Sequence, residues 1–183
     1  MPTLRPFRDY DEKDVINLYT WSGTVPVNKG TLVKIGGDGF RFDIEDSQEL
    51  LGNYGSFSVS NVVAQRYGVI PKIVVADAAD KPLGFILFDV RETDENGELL
   101  KYRPRKAAEM EAVLSGQANP VVTRGTFLYS GIVASGGVGV VAGADAYAGQ
   151  GGVVATSGAN KIGKFLGVTG SGNPTALVWF NFA

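Results

Sequence analysis

Residues 69–90 read VIPKIVVADAADKPLGFILFDV, and the fold turns on this stretch. Two apolar runs, Ile73-Val74-Val75 and Leu83 to Val90, flank Asp77-Ala78-Ala79-Asp80-Lys81-Pro82. β-Branched and aromatic side chains suit the pleated surface of a strand, whereas Asp and Pro favour turns. The pattern predicts a β-hairpin whose loop is longer than the tightest class. The second run is apolar on both parities, so both faces of its strand should be covered, as in the centre of a sheet.

Moving towards the N-terminus, Thr31-Leu32-Val33-Lys34-Ile35 and Phe40-Arg41-Phe42-Asp43-Ile44 read as two short strands. Gly36-Gly37-Asp38-Gly39 between them reads as a turn, so residues 31–44 are expected to form a second hairpin. Val15 to Trp21 is rich in strand formers and is expected to be a strand. Residues 48–67 are less regular, and Tyr54, Phe57, Val59, Val62 and Val63 should serve the core or a subunit contact.

On the C-terminal side, Asn96-Gly97 is a strong turn signal. Residues 104–114 predict the one helix, with Pro104 in its first turn, good formers from Ala107 to Ala112, and Gly116 beyond its end. Met110, Val113 and Leu114 would dock it on the sheet. Residues 121–131 alternate and predict a strand with a break at Gly125. A Gly/Ala/Val/Ser-rich region then spans residues 131–172, with short strands expected at 138–141 and 153–156 and a loop at 142–152. A strand at 161–168, a turn at 170–174 and a closing strand at 176–182 complete the chain.

These elements imply a mainly β fold: a small antiparallel β-barrel or sandwich with one short helix insert and an extended N-terminal arm. Residues 1–14 are expected to be the arm and residues 15–183 a single β-rich domain. The arm is polar and charged, with Pro2 and Pro6 opposing an early helix. Leu4, Phe7 and Tyr10 recur in it at three-residue spacing between charges. The expectation is an arm mobile in the free protein, with these three side chains as anchors that seat on a neighbouring subunit. Trp21 joins them as an exposed contact candidate, while Trp179, inside a strongly apolar run, is expected to pack in the core.

Composition bounds the function. A chain of 183 residues with 44% hydrophobic content suits one domain with a real core. Its net charge of -2 argues against nucleic-acid binding. No apolar run approaches a membrane span, and residues 1–14 lack the apolar core of a signal peptide. Cysteine and histidine are both absent, which removes disulfides, thiol nucleophiles, Cys/His zinc sites and histidine acid–base catalysis. No cofactor or metal is expected, and the chain is not expected to be an enzyme.

Two glycine-rich segments approach nucleotide motifs. Gly158-Ala159-Asn160-Lys161-Ile162-Gly163-Lys164 has phosphate-loop spacing, but Phe165 stands where a Ser or Thr hydroxyl would hold the metal. Gly137-Val138-Gly139-Val140-Val141-Ala142 fits the dinucleotide spacing, yet more glycine-rich loop follows instead of a helix. Both read as chance matches. The carboxylates Asp9/Asp11/Glu12/Asp14, Asp43/Glu45/Asp46 and Asp94/Glu95/Glu98 lie on turns and tips, where solvated charge is the expected role rather than glycoside chemistry. Arg103, Arg105 and Lys106 read as a solvated helix start.

The order of the strands carries a family resemblance. Residues 28–35, NKGTLVKI, resemble the opening strand of the decoration (cement) proteins of tailed-phage heads. Residues 81–90, KPLGFILFDV, resemble a later strand of that family in which a glycine precedes an apolar run. Residues 121–127, 161–166 and 176–182 are similar to the strands that follow. The resemblance implies a structural virion protein that binds the outer surface of an expanded capsid and cements neighbouring capsomers. Its implied partners are the major capsid protein and further copies of itself, a trimer favoured over a dimer, with no nucleic acid and no membrane. Its implied location is the virion surface, after synthesis in the host cytoplasm. The helix insert and the glycine-rich region depart from the shortest family members. Two other readings stand beside it: a tail or fibre component, or a carbohydrate-binding β-sandwich using Trp21, Trp179 and tyrosines.

Overall fold

Alternation within single strands organises the molecule, because one parity of each central strand feeds one core and the other parity feeds a second. The computed structural model describes residues 3–7, 11–42, 69–134, 139–168 and 175–182. Sheet I has the order β1 (Thr3–Pro6), β10 (Arg124–Ser130), β14 (Ala176–Asn181), β13 (Lys161–Val168), β11 (Asp145–Ala148) and β12 (Val154–Ala155). Sheet II has the order β2 (Val15–Ile16), β9 (Val121–Val122), β6 (Gly84–Ile86), β4 (Leu32–Phe42), β5 (Val69–Val75) and β3 (Thr20–Trp21). A small parallel pair, β7 (Asp89–Val90) and β8 (Ala112–Val113), lies outside both. Neither sheet closes on itself, so of the two mainly β expectations the sandwich holds and the barrel does not.

Leu32, Phe85 and Val122 point from sheet II into the space between the sheets, where they meet Leu4, Phe127, Tyr129, Phe165, Val178 and Phe180 of sheet I. Their chain neighbours Val33, Ile86 and Val121 point the other way, into a second cluster with Trp21, Ile73 and Val90. Tyr19, Val27, Leu83 and Val113 pack against that second cluster. Sheet II is therefore covered on both faces. That bears out the doubly apolar reading of its central strand, although the strand spans only Gly84–Ile86, all of it buried.

The central hairpin needs correcting. β5 and β6 do not pair with each other; β4 lies between them and is antiparallel to both. Val33 sits opposite Val75 on one side and Gly84 on the other. The intervening loop is held by polar contacts instead of a tight turn. Asp77 N–H donates to Asp80 Oδ2 at 2.8 Å, and Lys34 Nζ reaches the same oxygen at 2.7 Å. The Lys34 ammonium first, then the Asp77 N–H, holds the Asp80 carboxyl below its ordinary value. Asp77 in turn accepts from Gln150 Nε2 and Gly151 N–H, both at 2.9 Å, tying the loop to the turn between β11 and β12.

The second expected hairpin is also one strand. β4 runs on from Leu32 to Phe42, and Gly36-Gly37-Asp38-Gly39 forms an irregularity within it rather than a turn. Ile35 pairs with Ile73 and Phe40 with Pro71, so the four residues between the first pair of positions face Lys72 alone. Bulges are the ordinary means by which a strand accommodates surplus residues while pairing continues. Asp43, Ile44, Glu45, Asp46 and the expected core contributors of residues 48–67 lie outside the described residues.

Further corrections follow the same logic. Val15 to Trp21 is interrupted, giving β2 and β3 at opposite edges of sheet II. The helix α1 (Pro104–Glu109) is shorter than expected, with Pro104 in its first turn as predicted. Glu111 takes a φ of 49°, which reverses the chain, and Ala112–Val113 then becomes β8 beside β7. Val113 thus packs on the second cluster from a strand, not from a helix face. The break expected at Gly125 falls at Thr123, between β9 and β10, where the chain leaves sheet II for sheet I. Thr123 is pinned there, its N–H and hydroxyl both donating to Asp14 O. The expected loop at 142–152 contains β11, and residues 139–141 are not a strand. β12 and β13 fall where strands were expected. The turn expected at residues 170–174 is outside the described residues.

The Asn96-Gly97 turn forms as read. Gly97 has a φ of 81°, and Asp94 caps the turn by accepting from Asn96 N–H at 2.8 Å and Glu98 N–H at 2.9 Å. The Glu98 N–H, ahead of the other contributors, lowers the Asp94 carboxyl from its ordinary value. Glu95 pairs with Lys106 at 2.9 Å and Glu98 with Arg103, so part of the basic helix start is bound to the turn before it.

The mobile arm is corrected as well. Thr3–Pro6 is a strand of this chain's own sheet I, antiparallel to β10 with Leu4 opposite Tyr129. Leu4 is buried in the inter-sheet core. Leu4→Ala should therefore destabilise the free protein by about 2 kcal/mol, near the low end for buried leucine because an edge strand can partly collapse. Urea unfolding of the isolated chain measures it; a mobile arm would give no change.

Tyr129 is fully buried between Phe85 and Phe180, and its hydroxyl makes no hydrogen bond of acceptable geometry, although Val154 backbone lies near. Burial pushes the phenol well above its ordinary range. A buried hydroxyl without a good partner is a cost, so Tyr129→Phe should leave stability unchanged or raise it by up to about 1 kcal/mol. A loss above about 1 kcal/mol on denaturant unfolding would reveal a hydrogen bond at that oxygen.

Candidate binding face

Both faces of sheet II carry a buried cluster, whereas among the described residues the outer face of sheet I carries none. Its composition follows from the pleat. β14 alternates buried Ala176, Val178 and Phe180 with half-buried Leu177, Trp179 and Asn181. β10 alternates buried Phe127 and Tyr129 with outward Thr126, Leu128 and Ser130, with exposed Arg124 on the same parity. Thr3 and Arg5 of β1 lie opposite Ser130 and Leu128, and the Thr3 and Ser130 hydroxyls meet at 2.6 Å.

Irregular pairing shapes the β13 side. The register between β11 and β13 shifts after Ala146, so Ile162 and Gly163 are both buried while Lys161 turns outward. Lys161 Nζ meets Asp145 Oδ1 at 2.9 Å. A second shift, between Phe165 and Gly167, leaves Leu166 as the surplus residue, 51% exposed. Reading across the sheet, Thr126 pairs with Trp179, Trp179 with Lys164, and Lys164 with Asp145. Phe7 extends this row at the β1 edge, donating its N–H to Thr126 O at 3.1 Å, and its side chain is 62% exposed. None of Phe7, Leu128, Tyr147, Leu166, Leu177 or Trp179 belongs to either buried cluster.

The four contact candidates read from sequence separate. Leu4 and Trp21 are buried in different clusters of this chain's own core, which corrects their assignment as contacts with another subunit. The indole N–H of Trp21 donates to Thr24 O at 3.2 Å, so its polar atom is satisfied internally. Phe7 lies at the edge of the outer face, and Tyr10 lies outside the described residues. The two tryptophans exchange expected roles: Trp21 is core, and Trp179 is half-buried on the outer parity of β14, in the middle of the sheet. They cannot form one stacking platform. Sequence reading named Trp179 only in the carbohydrate alternative and otherwise placed it in the core, and it missed Leu128, Leu177 and the cations around them. The alternation Val178/Trp179/Phe180 in a closing strand was the available signal, but both parities are apolar.

Gly158 and Gly163 of the phosphate-loop-like segment have packing roles, whereas a Cβ on Gly139 of the dinucleotide-like segment would meet nothing within 4 Å. A Cβ on Gly163 would lie 2.1 Å from Trp179 O, and one on Gly158 would lie 3.1 Å from Ala148 O. Gly163 lies within β13, which continues as strand to Val168 where a phosphate loop would open a helix. Gly84, the glycine before the apolar run, is explained similarly: a Cβ there would lie 2.2 Å from Val122 O.

Among the described residues, no His/Cys/Asp/Glu cluster could hold a metal ion, and no helix is long and apolar enough to cross a membrane. Compared with family models, curated proteins and solved structures, the chain finds no match.

Proposed function

We propose that this chain is a structural virion protein that binds the outer surface of an expanded phage capsid and cements neighbouring capsomers. The observation that supports this reading best is the outer face of sheet I. A two-sheet body with a packed inter-sheet core presents one broad, half-apolar surface around Trp179, while its second sheet carries a buried cluster on each face. Such a body suits static docking. The strand order that resembles head-decoration proteins supplies the capsid as partner, and a homo-oligomer, trimer favoured over dimer, is part of the same proposal. Closed symmetry would also protect the edges of the two sheets, which otherwise invite pairing with other chains.

Expanded heads stripped of decoration protein provide the test. The purified full chain should co-sediment with them to saturation and raise their resistance to heat. Failure to co-sediment at high micromolar concentration overturns the proposal. Light scattering decides the oligomer, and a monomer at that concentration counts against a solution trimer.

A further inference from the structure

We propose that the outer face of sheet I docks a carboxylate-rich protein surface, through an apolar centre ringed by cations. The biological setting rests on the capsid reading above; the chemistry of the face does not. Arg5 and Arg124 lie towards the β1–β10 side, and Lys161 and Lys164 lie on β13, with Leu128, Leu177 and Trp179 between them. Asp145 is the one carboxylate on this face among the described residues, and it already pairs with Lys161. No carboxylate partner of Arg5, Arg124 or Lys164 is found among the described residues. The face is thus cationic on a chain whose net charge is -2.

That inversion of sign decides the occupant. An acidic partner is drawn to this face and repelled by the molecule as a whole, so charge fixes orientation as well as encounter. Apolar residues in the centre with charge at the rim match the anatomy of a protein interface. A nucleic acid fits less well, because the chain's overall charge opposes a polyphosphate. Strand spacing puts the face at about 20 Å in each direction, or roughly 400 Å². A standard interface takes about 800 Å² per partner, so one copy should bind weakly and depend on repetition over a lattice.

The experiment titrates the full chain with poly-L-glutamate and, separately, with a thymidine oligonucleotide, following tryptophan emission. Trp179→Phe assigns the signal, since Trp21 is buried. The expected result is a Trp179 response to poly-L-glutamate that weakens about tenfold between about 0.05 M and about 0.5 M NaCl. Arg124→Glu/Lys164→Glu should lose at least about tenfold in affinity at low salt while keeping the thermal midpoint. Arg5→Glu serves in its place if the double variant folds poorly. No response, or tighter binding of the oligonucleotide, overturns the proposal. So does a Trp179 already shielded from iodide and exposed on dilution, which would make the face a contact between copies. Head binding separates the two readings. If heads bind the charge-reversed variant like the parent, the face assignment fails and the capsid reading stands; if poly-L-glutamate binds and heads do not, the reverse holds.

Discussion

Phe85→Ala is expected to cost about 3–5 kcal/mol, a large share of the roughly 5–15 kcal/mol that holds a typical domain together. Phe85 has no exposed surface and lies on β6, paired with Leu32 on one side and Val122 on the other. Its ring centroid lies 4.5 Å from that of Phe180, 5.3 Å from Phe182 and 5.4 Å from Tyr129. Those partners come from the opposite sheet or just beyond its last strand, so one side chain links the two halves of the sandwich. The walls around it are paired strands on both sides of the gap, which cannot close over a lost ring without breaking ladder hydrogen bonds. A cavity therefore persists, and its cost adds to the lost transfer energy. Urea unfolding followed by far-UV dichroism would show the midpoint shift. Leu166→Ala is the control: at 51% exposure it should change stability by no more than about 0.5 kcal/mol. Equal effects at the two sites would refute this assignment of the core.

What the sequence made legible was the local state of the chain, and what it concealed was the pairing. Residues 161–168 read as a strand and are one, because alternation and flanking glycine need only local chemistry. The pairing of residues 73–75 with 83–90 looked equally local, yet β4 displaces it. Asp77 and Asp80 bind Lys34, Gln150 and Gly151, and none of those partners is near in sequence. The helix failed for another reason. Ala112 and Val113 suit either state, and β7, distant in sequence, recruits them through backbone pairing. Tertiary context overrides propensity wherever a residue is indifferent.

The binding face was hidden by the same ambiguity. Ala176 to Phe182 is apolar at nearly every position, so period-two reasoning could not say which parity faces inward. Only the opposition of Val178 to Phe127 and Phe165, both buried, assigns Trp179 to the outside. Arg5, Arg124 and Lys164 are far apart in the chain and become one rim only through the order β1-β10-β14-β13. Leu4 was misread because a short polar segment has few core residues, and the burial of that single leucine depends on an edge vacancy beside β10.

Gly163→Ala should be nearly as damaging as the loss of Phe85, at about 3 kcal/mol or more, although it adds a single methyl. The added carbon would lie 2.1 Å from Trp179 O and 3.0 Å from Trp179 C, both backbone atoms of the paired strand β14. Overpacking ordinarily costs about 1–3 kcal/mol because side chains can rotate away, and a carbonyl in a ladder cannot. β13 and β14 must separate locally, at the pairing of Gly163 with Phe180, which itself contacts Phe85. Gly97→Ala isolates the alternative cause. That glycine has a φ of 81° and nothing within 4 Å of where a methyl would sit, so its cost is conformational, about 1–2 kcal/mol. Thermal unfolding of the two variants side by side should rank Gly163→Ala as the more destabilised. The comparison also bears on the phosphate-loop spacing of residues 158–164. A glycine required by a phosphate would tolerate alanine in the free protein and fail on ligand addition, whereas a glycine required by Trp179 O fails before any ligand is present.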